Sequence, residues 1–141
     1  MPVETAAPKP SPTPPDIAAR IRAEALTLFA GKGYDATSMR DIAAAVGISP
    51  GNLTYHFPKK SDLFGATVTS AYTAFVEELR VVANAEGLTA GERLRALMDR
   101  LAQLSTLEQN MLRVFFRELM TTPEHLRGFS DVVATGHPMI L

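Results

Sequence analysis

The chain has 141 residues, of which 46% are hydrophobic and 21% charged, enough apolar material for one globular domain or two small ones and too much for a wholly disordered chain. Fourteen Lys and Arg against fifteen Asp and Glu leave a formal net charge of -1, so an anionic partner has to meet a local patch rather than a global field. Cysteine is absent, which excludes disulfide scaffolds, thiolate metal sites and cysteine nucleophiles and suits the reducing cytoplasm, and with no secretory h-region and no apolar run near the ~20 residues of a membrane span the expectation is a soluble, cytoplasmic protein without a membrane partner.

Residues 1–15, MPVETAAPKPSPTPP, hold six of the ten prolines. Proline fixes its own φ and lacks an N–H, so this stretch is expected to be a flexible leader, either a spacer or an arm reaching toward DNA with only Lys9 to offer it charge. From Asp16 the pattern changes: Ile17, Ile21, Ala25, Leu28 and Phe29 recur at helical spacing and predict a first helix that Gly31 and Gly33 end. Thr37 or Ser38 can cap a second helix, Ser38 and Asp41 have capping-box spacing, and Ile42, Ala43 and Val46 form its buried side. Gly47 permits a sharp turn, Ile48 plugs the corner, Ser49 caps a short third helix, and Pro50 takes the first helical position, where a missing donor costs little. This third helix ends at Phe57, ahead of Pro58.

Ser61 is then expected to cap a long fourth helix whose apolar positions are Phe64, Val68, Ala71, Phe75, Leu79 and Val82, running toward Gly87. Thr89 with Glu92 and Ser105 with Glu108 repeat the capping-box spacing. They precede the series Leu94, Leu97, Leu101, Leu104 and the series Leu107, Met111, Val114, Phe115, Leu119, which predict a fifth and a sixth helix. Thr122 and Pro123 mark a break before a short last helix from about Glu124 to Val133. No strand pattern or internal repeat is present, so the expected fold class is all-α: a three-helix unit over 16–60 followed by a small helical bundle over 61–141.

The stretch SMRDIAAAVGISPGNLTYHF, residues 38–57, has the form of a helix, a tight Gly-containing turn and a second helix. With Leu53 and Phe57 turned to the core beside Ile42 and Val46, Asn52, Tyr55 and His56 project elsewhere, where their polar tips can reach a DNA groove or backbone. Arg40 lies near the start of the preceding helix and Lys60 just past the motif, and the helix starts at Ser38, Ser49 and Ser61 offer backbone N–H groups that favour phosphates. Residues 16–60 hold six basic and four acidic side chains, a net +2, whereas residues 61–141 hold seven against ten, a net -3, so the positive field sits on the half with the turn motif. Catalysis finds no support: His56, His125 and His137 lack metal-ligand spacing, and no Gly-rich phosphate loop or nucleophile elbow occurs, so no metal and no cofactor is expected.

Residues 16–64 resemble the DNA-binding domain of the tetracycline-repressor (TetR) family of bacterial transcriptional regulators, in the ordered pieces LFAGKGYDATS, MRDIAAAVGIS and PGNLTYHFPKKSDLF. The resemblance implies that Tyr55, His56, Lys60 and the Thr37 and Ser38 helix start contact phosphates, and that Arg40, Pro50, Gly51 and Asn52 lie nearest the bases. Thr54 stands where members often carry Tyr; it keeps a hydroxyl donor and loses an aromatic platform. The rest of the chain would then bind a small apolar effector, with Leu97, Met98, Leu101, Met111, Phe115, Phe116 and Met120 as candidate lining residues, and mediate homodimerisation on a palindromic operator. Members usually run longer and place their dimer helices near the carboxyl end, so this chain is expected to be a shortened form that pairs through its fourth helix or its Leu107 to Met120 helix. The implied function is a repressor released from DNA by a small molecule, the fourth helix acting as lever; the alternative is an interaction module that pairs with a full-length relative.

Overall fold

The computed structural model describes residues 16–121 and Glu124; the leader expected over 1–15 and, apart from Glu124, the last helix expected over 124–133 lie outside the described residues. Six α-helices and no strand occur among the described residues: α1 (Ile17–Lys32), α2 (Met39–Val46), α3 (Pro50–His56), α4 (Lys60–Ala83), α5 (Ala90–Ala102) and α6 (Thr106–Thr121). No helix among them is long and apolar enough to cross a membrane.

Helix boundaries follow local chemistry. Asp16 caps α1 by accepting the Ala18 N–H at 3.1 Å, and Gly33, at φ 89°, ends it. Ser38 and Asp41 close a reciprocal capping box at the start of α2, each backbone N–H donating to the other's side chain at 3.1 Å. The Ser38 backbone N–H first and the Ser38 hydroxyl next, with Lys32 at 3.7 Å, hold the Asp41 carboxyl below the usual carboxylate range. Gly47 adopts the left-handed conformation (φ 80°, ψ 34°) that ends α2, and Ser49 then accepts the Asn52 N–H at 3.2 Å to start α3 with Pro50 in its first turn. Ser61 is not the cap of α4: the helix starts at Lys60, after Lys59, whose carbonyl accepts the Leu63 N–H at 3.1 Å and whose side chain makes no capping bond. Thr89–Glu92 and Ser105–Glu108 both form the reciprocal pairs that their spacing predicts.

One continuous core runs from α1 to α6. Ile21, Ala25, Leu26 and Phe29 of α1 meet Ile42, Ala43 and Val46 of α2, Leu53 of α3, Leu63, Phe64 and Val68 of α4, and Met111 and Val114 of α6. Phe29, Tyr34 and Phe64 pack as a ring cluster, with centroids 5.0–5.8 Å apart. Helix α1 is thus gripped on both sides, by the α2–α3 pair and by α4 and α6, and its buried arc is wider than a single amphipathic stripe.

Helix α5 is attached differently. None of its residues is fully buried, and Leu94 and Met98 are 61% and 59% exposed despite their helical spacing. Beside its packing on α4, a polar tie to the rest is Arg100, whose guanidinium pairs with Glu78 of α4 and Glu108 of α6 and lies 5.9 Å from the Phe75 ring centroid. Burial works to raise the Glu108 carboxyl, but the Arg100 guanidinium and the Ser105 capping bonds outweigh it and leave the group below its ordinary range.

This arrangement fixes the sign of the acid dependence. Asp41, Glu92 and Glu108 all have folded values below their unfolded ones, so their stabilisation is complete above the ordinary carboxylate value of about 4 and is lost as pH falls through the depressed values. Urea midpoints are expected to stay level from neutrality to about pH 5 and to fall steeply below about pH 4, with a shallower fall in Arg100→Met; a midpoint that rises on acidification would contradict the assignment.

Candidate nucleic-acid interface

The turn at Gly47 sets α3 against α2, and Leu53, with 0% exposure, anchors α3 in the core. A helix with one anchored residue presents the positions opposite it. Gly51, Asn52, Thr54 and Tyr55 are exposed, Tyr55 at 83%, and His56 is half-buried with its ring 5.3 Å from that of Tyr55. The N-terminal end of α2 lies exposed at Ser38 and Arg40, and Ser49 and Pro50 are exposed at the start of α3. The Ser38 and Ser49 hydroxyls accept capping bonds, and the first turns of α2 and α3 add the positive ends of two helix dipoles. The surface therefore combines an Arg, a primary amide, an exposed phenol and hydroxyl donors around a short helix, the chemistry that reads base edges and fixes phosphates.

Three candidates stand differently from their expectation. Thr37 is 1% exposed, its hydroxyl donates to the Gly33 carbonyl at 2.7 Å and its N–H to the Tyr34 carbonyl at 3.3 Å, so it is an internal fastener of the loop before α2 and offers nothing to a phosphate. Lys60 turns inward: its ammonium donates to the carbonyls of Tyr34 at 2.9 Å and Thr37 at 3.1 Å and lies 4.3 Å from the Tyr34 ring centroid. The loop carbonyls belong to no helix ladder, and a cation beside them satisfies two at once, which is why the side chain leaves the surface. Thr54 is exposed, but its hydroxyl donates to the Pro50 carbonyl at 2.9 Å inside its own helix. Tyr34 itself, reached by Lys60, is half-buried, and burial, followed by the charges of Asp35, Glu118 and Asp62, pushes its phenol above the ordinary value.

Two arginines that the sequence pattern does not single out complete the scaffold. Arg20 of α1 donates to the Val46 carbonyl at the end of α2 at 3.1 Å. Arg117 of α6 reaches the end of α1, donating to the carbonyls of Phe29 and Ala30, both at 3.1 Å. No spacing rule foretells either bond, because each joins residues far apart in sequence.

Away from this surface, Val68, Tyr72, Phe75, Met111, Leu112, Phe115 and Phe116 line a cavity of about 100 Å³ between α4 and α6. Met111, Phe115 and Phe116 of the candidate effector residues meet there. Leu97, Met98 and Leu101, on α5, do not line it, and Met98 and Leu101 are exposed, because α5 packs chiefly on α4 and leaves its remaining apolar side uncovered; Met120, near the end of α6, is exposed and does not line it either.

Residues 21–67 match the family of bacterial regulatory proteins called the tetR family. The chain is 28% identical over 104 residues to the biofilm operon icaADBC HTH-type negative transcriptional regulator IcaR of Staphylococcus aureus, an overlap of 74% of this chain and 54% of that one. It thus spans about half the length of that relative. Among solved structures, a TetR-family transcriptional regulator from Mesorhizobium loti MAFF303099 superposes with a TM-score of 0.66 at 26% identity over 82% of this chain and 59% of that one. The multidrug binding protein EbrR, complexed with ethidium, superposes with a TM-score of 0.61 at 28% identity over 86% and 71%.

Proposed function

We propose that this chain, whose residues 21–67 match the tetR family of bacterial regulatory proteins, acts in the cytoplasm as a transcriptional repressor, two copies seating their α3 helices on a palindromic duplex from which a small apolar molecule releases them. The observation that carries this reading is the α3 surface, where Leu53 is locked in the core while Asn52 and Tyr55 stand exposed beside the starts of α2 and α3. The name of the IcaR relative describes a negative regulator, and EbrR holds ethidium, which supports repression and a ligand-responsive second half without naming the ligand of this chain.

The two half-sites of such an operator lie about 34 Å apart, one turn of DNA, so pairing of two chains sets the spacing of the readers. The exposed apolar side chains Leu94, Met98, Leu101, Phe116 and Leu119 on α5 and α6 offer a surface for that pairing, and the same surface suits a longer relative as partner. Helix α4 runs from Lys60, beside the loop that leads into α2, to Tyr72 and Phe75 at the cavity, so an occupant that favours one tilt of α4 shifts the population of one reader spacing.

Binding of the duplex flanking the gene, measured across about 50 to 200 mM salt, tests the reading. Log K is expected to fall linearly with log salt, with a slope set by the phosphates neutralised, and sedimentation is expected to show two chains per duplex. Absence of any binding at the lowest salt would sink the proposal; a stable monomer that binds only when mixed with a longer relative would favour the interaction module instead.

A further inference from the structure

We infer that Arg117 is a positioning residue for the DNA-reading surface: from α6 it fixes the carboxyl end of α1 and, through the loop that follows, the start of α2. The last carbonyls of a helix have no partner within it and need a donor from elsewhere. Here a planar fork from another helix supplies two donors, Nη1 to the Phe29 carbonyl, which also accepts the Gly33 N–H, and Nη2 to the Ala30 carbonyl, both at 3.1 Å. A cation at this end also complements the negative pole of the α1 dipole.

The contact is close. A Cβ on Gly33 would stand 3.3 Å from the Arg117 Nη1, and Gly33 itself holds a φ of +89°, so the chain makes its turn out of α1 directly against the guanidinium. From that turn the loop is fastened at each step. The Gly33 N–H returns to the Phe29 carbonyl at 2.9 Å, and the Gly33 carbonyl receives the Thr37 hydroxyl at 2.7 Å. Lys60 then holds the Tyr34 and Thr37 carbonyls, and the next residue is Ser38, the exposed cap of α2. Two cations from α6 and α4 thus clamp opposite ends of the loop between α1 and α2, and neither needs to touch DNA to decide where Ser38 and Arg40 point.

The DNA arm of the test rests on the proposed function; the exchange arm does not. Amide hydrogen exchange of Gly33, Thr37 and the first turn of α2 is compared in the wild type, Arg117→Met and Arg117→Lys without DNA, and duplex affinity and its salt slope are measured on the same proteins. In Arg117→Met, Gly33 and Thr37 are expected to exchange about ten-fold faster and duplex affinity to fall about ten-fold with an unchanged salt slope, since no phosphate contact is removed. Arg117→Lys keeps the charge but replaces the planar two-nitrogen fork with a single ammonium nitrogen, and is expected to recover part of both. Unchanged exchange in a folded Arg117→Met overturns the positioning role, as does a salt slope flattened by one unit, which marks a direct phosphate contact. If Arg117→Met fails to fold, Arg117→Gln, which is uncharged and shorter than the guanidinium arm, decides alone: wild-type exchange and affinity in that variant overturn the clamp. Loss of loop protection in variants of a wild type that binds no duplex upholds the clamp and refutes the proposed function separately.

Discussion

Leu53→Ala is expected to lower the free energy of unfolding by about 2–5 kcal/mol and to abolish duplex binding. Helix α3 spans Pro50–His56, far too short to be stable in water by itself, and Leu53 is its one fully buried residue. The side chain is completely enclosed and shares the core with Ile42, Val46 and Leu63, so truncation leaves a cavity at the joint between α2, α3 and the helices behind them. The Ser49 cap and the half-buried flanks Ile48 and Phe57 cannot replace that anchor. Leu63→Ala, an equally enclosed leucine on α4, is the control. It is expected to cost a similar amount in a urea titration while leaving α3 seated, so at a temperature where both variants are folded only Leu53→Ala should lose the duplex. Equal duplex affinity of the two variants would show that α3 does not depend on Leu53 for its placement.

The second large effect is on sequence preference. Asn52→Ala is expected to reduce discrimination between the flanking duplex and a scrambled one by about 1–3 kcal/mol for each recognition helix engaged, and by about twice that when two copies bind a palindrome. The Asn52 backbone N–H, not its side chain, meets the Ser49 hydroxyl at 3.2 Å, so removing the amide leaves the helix cap intact and helicity unchanged. Tyr55→Phe serves as contrast: an exposed phenol that donates to a phosphate fixes register for any sequence, so its loss should weaken both duplexes together. Competition binding with the two duplexes separates these outcomes. An Asn52→Ala protein that retains full preference would move the base-reading role elsewhere on the α2–α3 surface, with exposed Arg40 as the next position to replace.

Local chemistry made much of this molecule readable in advance. The Ser38–Asp41, Thr89–Glu92 and Ser105–Glu108 spacings place real capping pairs, because an N-cap side chain and its partner three residues on meet within a single turn whatever surrounds them. The Gly47 turn and the Ser49–Pro50 start are legible for the same reason, since the φ 80° of Gly47 and the missing N–H of Pro50 are properties of those residues themselves. From these came the helix order, the all-α class and the outward face of α3.

What the sequence could not decide was where unpaired carbonyls would lie in space and which helices would cover which. Thr37 and Lys60 look like surface donors by position, yet the loop between α1 and α2 exposes carbonyls that must be paired, and both side chains turn in to pair them. Leu26 and Leu63 fall off the expected stripes and are nevertheless enclosed, because α1 and α4 are each contacted from more than one side; Leu94 and Leu101 fall on theirs and stay exposed, because α5 has little laid over it. Arg117 and Arg20 acquire their roles only when α6 and α1 arrive beside the helix ends they satisfy. Sequence thus determined the elements and the surface that faces outward, since those depend on bonds within a turn or two. The tertiary packing alone determined which polar groups hold that surface in place, since their partners are brought together only by the fold.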